Sequence, residues 1–481
     1  MLDSIPPHLK SILIIGGGPA GYIAAIRLAQ RGFTVSVVES EYVGGTCLNW
    51  GCIPSKALIH ASHDYFQITS KALQKQGILV NDVSLDWPTL SAHLLQDVQH
   101  LRKGIEARLK RLKVSLIKGK AHFVSPTAVE VEDAEGKTKI LQADAFVIAT
   151  GAQTIVPKVF QGLDARFCLS VKELFSLPEL PKRLAIVGAG VIGLELAQAL
   201  QRLGVEVHVL DRLSGLLPSY DSSLVAILHE KLKREGLNFH FNADITAVDV
   251  DDARHSITLH ITDLLNPQEK QTLDVDQLLM APGRRPNTQG LRLENAGVAV
   301  HLESGGVLVN DALQSNQPHI FAIGDVTHGH PQLAHVASHH GIVLAETLAG
   351  KQHGLDALTS IPAVVYTQPE LAKVGLSEKE ATDKGFDVQV TRLPFSALGR
   401  ATIDAVSDGQ ALIVVEKATG AILGAELLSP TADALISQML QAIELGATVE
   451  DVALTVHPHP SLSEAWLEVA ERHLGHGLHI D

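Results

Sequence analysis

The stretches Ser11–Ser40, "SILIIGGGPAGYIAAIRLAQRGFTVSVVES", and Arg183–Arg212, "RLAIVGAGVIGLELAQALQRLGVEVHVLDR", are one layout written twice. Each runs from an apolar strand through a Gly-x-Gly-x-x-Gly turn into an amphipathic helix, a terminating glycine, a second strand and an acid. The first copy carries Gly16, Gly18, Gly21, Gly32 and Glu39; the second carries Gly188, Gly190, Gly193, Gly204 and Asp211. From first glycine to helix-ending glycine is 16 residues in both copies, and from first glycine to acid is 23 in both. The spacing has a physical reason. The glycines make a tight turn, let backbone approach a pyrophosphate, and let the helix pack closely on the strand. Free N–H groups and the positive helix end then face the phosphate charge. The acid ending the second strand can accept hydrogen bonds from a ribose. A single turn of this kind is weak evidence, because packing glycines occur at many helix–strand junctions. Two at matched spacing predict two dinucleotide sites on two separate α/β, Rossmann-like domains. In the second, Asp211 favours NAD over NADP because a carboxylate repels a 2′-phosphate, and Arg212 beside it works against that preference.

The rest of the composition agrees. A chain of 481 residues is too long for one core and predicts three or four domains. Hydrophobic residues at 46%, charged residues at 19% and aromatics at 4% fit an α/β protein better than an all-β or disordered one. A net charge of −14 argues against a nucleic-acid binder. No apolar run approaches the roughly 18 residues that would span a membrane. "MLDSIPPHLK" has neither a signal-peptide nor a transit-peptide pattern and reads as a lead-in to a strand. Three cysteines are not a disulfide scaffold, which points to a reducing, cytoplasmic setting.

Further punctuation marks the architecture. "FVIATGA", Phe146–Ala152, is a strand ending in Thr150 and Gly151 and would close the first domain; "LLMAPGRRPNT", Leu278–Thr288, would close the second. "HIFAIGDV", His319–Val326, is a buried strand ending in Gly324 and Asp325, where an acid can meet a ribityl or phosphate group. The last third, with "PAVVYTQPELAKVG" and "ALIVVEKATGAILGAELLS", reads as hairpins followed by two helices, an α+β domain suited to subunit contacts. A long amphipathic helix from about His93 to Lys113 carries no assigned chemistry.

"GGTCLNWGCIPSK", Gly44–Lys56, holds Cys47 and Cys52 with four residues between them. Zinc is a weak reading, since Cys168 stands alone in "RFCLS" and no second ligand pair closes a tetrahedron. "THGHP" and "HLGHGLH" read as solvated histidines rather than ligands, so no metal is expected. In a regular helix, residues i and i+5 lie about 8–9 Å apart, beyond the roughly 7 Å that a disulfide tolerates. A bridge would therefore need an irregular turn, and Asn49 and Gly51 tolerate unusual backbone angles. Pro54 suits the first turn of a following helix. Two inert buried thiols remain the plain alternative; beside two dinucleotide sites, a redox couple is the stronger reading.

At this point the residues resemble a known family, the flavin-dependent pyridine nucleotide–disulfide oxidoreductases, and most closely its members that act on dihydrolipoyl groups. The ordered set "GGGPAG", "GGTCLNWGCIPSK", "ATGA", "GAGVIGLE", "APGRRPN", "AIGD", "YTQPELAKVG" and "HPHPSLSE" carries the likeness along the whole chain. The resemblance implies an FAD-binding domain at 1–151, an NAD-binding domain at 152–282, a central domain at 283–347 and a dimerisation domain at 348–481. It implies that Thr46, Thr150, Gly151, Gly324 and Asp325 serve FAD, and that Gly283 serves a cofactor at the exit of the second domain. Cys47 would be the interchange thiol and Cys52 the thiol beside the flavin. Lys56 would lie at the flavin ring paired with Glu195; without the likeness both read as solvated helix charges. His459 would be the acid–base residue, with Glu464 as its orienting carboxylate and His457 the lesser candidate. Ser461–Glu464 is also a capping-box pattern, in which the acid merely caps a helix. The histidine segment would reach the partner subunit's cysteines, so a homodimer is expected.

The implied activity is reoxidation of protein-bound dihydrolipoyl groups with hydride passed to NAD, serving a lipoyl-bearing carrier of a 2-oxo acid dehydrogenase or glycine cleavage complex. A mercuric reductase would carry a cysteine pair near "GHGLHID"; a glutathione reductase would carry basic residues near Asp211; a soluble transhydrogenase would lack the paired cysteines. Another disulfide reductase of the superfamily, or a flavoprotein kept as a scaffold, is the alternative. One departure stands out in "LAHVASHHG", where His340 replaces an acid common in relatives, and a local effect is expected.

Overall fold

The computed structural model describes residues 9–351, 360–406 and 408–480. Most of the lead-in "MLDSIPPHLK" lies outside the described residues. Two five-stranded parallel sheets form the first two layers of the molecule. The first has the order Ile320–Ala322, Ala145–Ile148, Ser11–Ile15, Thr34–Glu39, Ser115–Lys118. The second has the order Asn238–His240, Glu206–Leu210, Arg183–Val187, Gln277–Met280, Cys168–Leu169. The repeat is preserved in register: Ile12 pairs with Val35, and Leu184, at the equivalent place, with Val207. Central strands are apolar on both faces, as parallel sheets covered on both sides require; the successive residues Ile12 and Leu13, and Leu184 and Ala185, are all buried.

The helices Pro19–Gln30 and Val191–Arg202 follow the two glycine turns. The helix Ala334–Leu348 crosses Pro19–Gln30 closely enough that a Cβ at Gly341 would sit 2.7 Å from Ala20 O. The chain passes between the sheets at two places, and these crossings travel together. Ala152–Thr154 pairs antiparallel with Arg284–Pro286, and Thr150 Oγ1 donates to Asn287 O at 2.7 Å.

The last third is a five-stranded antiparallel sheet, ordered Ala363–Val365, Glu370–Gly375, Ile422–Ser429, Gln410–Glu416, Val388–Pro394. The helices Ala432–Glu444 and Glu464–His473 cover it, with Trp466 fully buried in the core between them. This unit docks on the second sheet's helix through a reciprocal amide pair. Gln198 donates to Gln368 O at 2.8 Å, and Gln368 N donates back at 2.7 Å.

The long helix runs Trp87–Arg111, starting earlier than its apolar period suggests because Asp86 caps Thr89 N. Among the described residues, no helix is long and apolar enough to cross a membrane, and no group of His, Cys, Asp and Glu is arranged to hold a metal. The histidines of "THGHP" are more packed than expected: His328 stacks on His301 with ring centres 3.8 Å apart, and His330 meets His340 edge to face at 4.9 Å.

Candidate active site

The two glycine turns divide their labour in the same way. Gly16 and Gly188 have φ of +106° and +112°, and a Cβ on either would lie 2.3 or 2.2 Å from a carbonyl oxygen of the neighbouring strand's exit. A Cβ at Gly21 would fall 1.9 Å from Gly16 O, and one at Gly193 2.0 Å from Gly188 O. The outer glycines are therefore demanded by the fold. The middle ones are not: nothing lies within 4 Å of a Cβ at Gly190, and only Gly45 Cα, at 3.8 Å, lies near one at Gly18. Bare backbone facing open space above a helix N-terminus is a cradle that fits a pyrophosphate.

Both acids brace their own turns. Glu39 accepts from Gly17 N and Glu41 N, each at 2.7 Å. Asp211 accepts from Ala189 N at 2.6 Å and from Leu213 N at 2.8 Å. Each carboxylate is thereby held at its strand end with lone pairs left for a diol. Arg212 is turned toward Asp244, 3.4 Å away, with its side chain 71% exposed.

The cysteine segment begins at two glycines with positive φ, Gly44 and Gly45. A Cβ at Gly45 would lie 2.6 Å from Gly18 Cα, so the segment seats directly on the first turn. The helix then breaks. Gly45–Asn49 ends, Trp50 and Gly51 leave helical angles, and Cys52–Thr69 starts afresh with Pro54 in its first turn. Thr46 O accepts from both Trp50 N and Gly51 N, and a Cβ at Gly51 would lie 2.9 Å from that oxygen. Cys47 and Cys52 thus sit on either side of an irregular turn, both as free thiols. Asn49 contributes its side chain, not an unusual backbone. It is helical and buried, donates to Val43 O and Gly45 O, and accepts from Arg102 Nε at 2.9 Å. Arg102, from the long helix to which no chemistry was assigned, also stacks 3.9 Å over Tyr42.

The two thiols are not equivalent. The Cys47 thiol donates to Cys52, which lowers the Cys52 thiol to about 7 against the effect of burial, with Lys56 pulling it further down. The same hydrogen bond, reinforced by burial, pushes the Cys47 thiol up. Lys56 Nζ lies 2.7 Å from Glu195 Oε2 and 4.6 Å over the Tyr366 ring. Glu195 is only 3% exposed, and its other oxygen accepts from Tyr366 N at 2.9 Å. The helix of the second glycine turn thus supplies an acid to the helix bearing Cys52. Cys168 lies away from this cluster, on its own strand, with burial raising its thiol.

Gly324 has φ of +71° and packs against Ala20 of the first helix. Asp325 receives Arg284 Nη1 at 2.8 Å, while Arg284 Nη2 donates to Ala152 O at 2.8 Å. Gly151 and Gly283 both have positive φ at the two crossings; Gly151 O accepts from Asn287 N, and Gly283 O accepts from Ile155 N.

At the far end, His459 Nδ1 lies 2.8 Å from Glu464 Oε1, and Glu464 Oε2 accepts from Ser461 N at 2.8 Å. The two readings of Glu464 coexist on separate oxygens. The reciprocal half of a capping box is missing, because Ser461 Oγ donates to Pro458 O. Burial would raise the Glu464 carboxyl, but the Ser461 N–H and His459 hold it below its usual range. His459 is 78% exposed, and the charged groups acting on the thiols are Lys56 and Glu195 rather than this imidazole. His457 is half-buried with its pKa lowered by burial, and its Nε2 has no partner among the described residues.

Arg102 carries no motif of its own in the sequence, and Tyr366 is marked only as the first residue of "YTQPELAKVG". The only signal for Arg284 is its place in "APGRRPN".

Comparison with known proteins places these features in a common frame. Residues 10–341 match the pyridine nucleotide-disulphide oxidoreductase family model, and residues 361–470 match that family's dimerisation domain. The chain is 40% identical over 468 residues to the dihydrolipoyl dehydrogenase of Geobacillus stearothermophilus, covering 97% of each protein. It is 38% identical to that of Bacillus subtilis and 39% to that of Thermus scotoductus, covering 98% of each protein in both cases. Among solved structures it resembles LpdA of Mycobacterium tuberculosis, with a TM-score of 0.87 and 28% identity over 96% of this chain and 99% of that one. It also resembles the HOCl-induced flavoprotein disulfide reductase RclA of Escherichia coli, with a TM-score of 0.84 and 28% identity over the same shares. The chain belongs to the pyridine nucleotide-disulphide oxidoreductase family.

Proposed function

We propose that the chain oxidises dihydrolipoyl groups, using Cys47 and Cys52 as the redox couple, FAD on the first sheet and NAD on the second. The observation that carries this reading is the asymmetric thiol pair at a broken helix, with Lys56 beside Cys52 and the segment seated on Gly18. Near-full-length likeness to proteins named dihydrolipoyl dehydrogenase supports the substrate class.

The geometry supports the following steps. A substrate thiolate attacks Cys47 Sγ of the oxidised pair, the Cys47–Cys52 bond breaks, and Cys52 leaves as the thiolate. Lys56 beside Cys52 lowers its pKa and so favours it as the leaving thiolate. The second substrate thiolate displaces Cys47, releasing the cyclic disulfide, and Cys47 takes up a proton. His459 moves that proton and draws the substrate thiol's proton, with Glu464 holding its Nδ1 so that Nε2 faces the reaction. Lys56, restrained by Glu195, holds positive charge beside the Cys52 thiolate. Bound FAD would supply the two-electron acceptor and NAD the final hydride acceptor.

In this reading the boundaries 1–151, 152–282, 283–347 and 348–481 separate the FAD, NAD, central and dimerisation parts. His459 serves the partner copy's cysteines, so activity requires the homodimer that the family's dimerisation domain supports. The lipoyl arm arrives on a separate carrier protein of a 2-oxo acid dehydrogenase or glycine cleavage complex, in a cytoplasmic setting. Anaerobic titration of the yellow holoprotein with dihydrolipoamide tests the reading. A long-wavelength band that rises with added dithiol and decays as NAD is reduced is expected; the absence of both the band and NADH would refute the reading.

A further inference from the structure

We propose that His340 is the positioning residue of the Gly324–Asp325 turn, holding that turn in its FAD-binding form as a neutral hydrogen-bond acceptor. The inference rests on the reading that this turn serves FAD.

His340 lies in the middle of the helix Ala334–Leu348 and is 0% exposed. Its Nδ1 accepts from Gly324 N at 3.1 Å. Only a ring with the proton on Nε2 can do this, and Nε2 has no partner among the described residues. The turn it holds is tightly constrained otherwise. Gly324 has φ of +71°, its missing Cβ would lie 3.0 Å from Ala20 Cβ and 3.2 Å from Ala337 Cβ, and the next carboxylate is clamped by Arg284. The buried Gly324 N–H donates to His340 Nδ1, and a buried N–H without an acceptor is costly. His340 is therefore one of two clamps on the turn, one for Gly324 N–H and one for Asp325.

A second proton would put a donor where the acceptor stands and set it against the Gly324 N–H. The surroundings resist that proton: burial, then His330 and His339, push the imidazole down to about 3. Where the facing helix Pro19–Gln30 approaches Gly324 and Gly341, its nearest atoms are backbone and side-chain atoms of Ala20 and Ala24, which carry no charge. A ring freed from the turn would titrate near its ordinary value of about 6.5. Because the held ring's pKa lies below that of the freed ring, the clamp is complete above about pH 6.5 and weakens as the pH falls below it.

The test measures FAD release from the full-length holoprotein by the rise of free-flavin fluorescence, from pH 8 to pH 5. H340Q keeps an acceptor and cannot titrate; H340F has none. H340F is expected to release FAD about tenfold more readily at pH 8. H340Q is expected to resemble the wild type at pH 8 but to lose the part of the acid dependence that His340 supplies, at most about tenfold per pH unit. A residue that only fills space would give the reverse pattern, with H340Q and the wild type following parallel pH curves. Parallel curves, or H340F retaining FAD as the wild type does, would overturn the proposal. Should H340F fail to fold, the H340Q curve decides alone. Wild-type protein that takes up no FAD would defeat the underlying reading instead, and that result is seen before any variant is made.

Discussion

The two glycine turns are near copies, and what covers them differs. Their positive-φ glycines, their steric contacts and the bracing of Glu39 and Asp211 agree to a few tenths of an ångström or a few degrees. Over the first turn lies the cysteine segment, with Gly45 against Gly18, and beside it the Gly324 turn. The second turn stays open at Gly190. Its helix instead sends Glu195 back to Lys56, at the position where the first helix has Ile23. The turn is therefore a shared binding device. The proposed chemistry draws on what surrounds the first copy, and one buried carboxylate of the second copy, Glu195, reaches that surround through Lys56.

The comparison breaks most visibly at the third glycines. G21A or G193A drives a Cβ into backbone, and either should cost several kcal/mol and leave its own sheet unfolded. G190A should leave apoprotein melting within about 1 °C of the wild type while weakening NAD binding at least tenfold. Melting curves and dinucleotide titration separate the two outcomes, and equal damage from G193A and G190A would contradict the division of labour between the glycines.

The thiols come next. Lys56 and the Cys47 hydrogen bond both lower Cys52, with the hydrogen bond the larger influence. The Cys52 thiolate of reduced protein should form with a midpoint about 7. C47A, which removes that donor, should move the midpoint up more than K56M does, each read from thiolate absorbance against pH.

A smaller effect belongs to the dyad. E464Q removes the charge that orients His459 and should lower turnover about 10- to 100-fold, leaving FAD and NAD affinity unchanged. Smallest is R212A. Its partner Asp244 is reached only at 3.4 Å on an exposed side chain, so the NAD-to-NADP preference should change less than about threefold.

Much of this was legible in sequence because it is steric and local. Gly16, Gly21, Gly188 and Gly193 are glycine because nothing else fits, and a matched spacing betrays them. The helix break between Cys47 and Cys52 followed from disulfide reach alone. The role of Asn49 did not, since its backbone is ordinary and its side chain works through Arg102, 53 positions away. Arg284 and Tyr366 escaped for the same reason: a charge or a backbone N–H brought in by tertiary folding leaves no periodic trace. His340 was visible as a departure, but its burial against Gly324 was not. The long helix His93–Lys113 looked inert by amphipathicity, yet Arg102 on it anchors the cysteine segment.

The central claim is that Cys52 is the thiolate partner of the bound flavin and Cys47 the exchanging thiol. Visible spectra of the C47S and C52S holoproteins at pH 8 test it most directly. The account predicts a long-wavelength band in C47S without added dithiol and none in C52S, with FAD bound in both. A band in C52S and none in C47S would reverse the assignment and contradict the account.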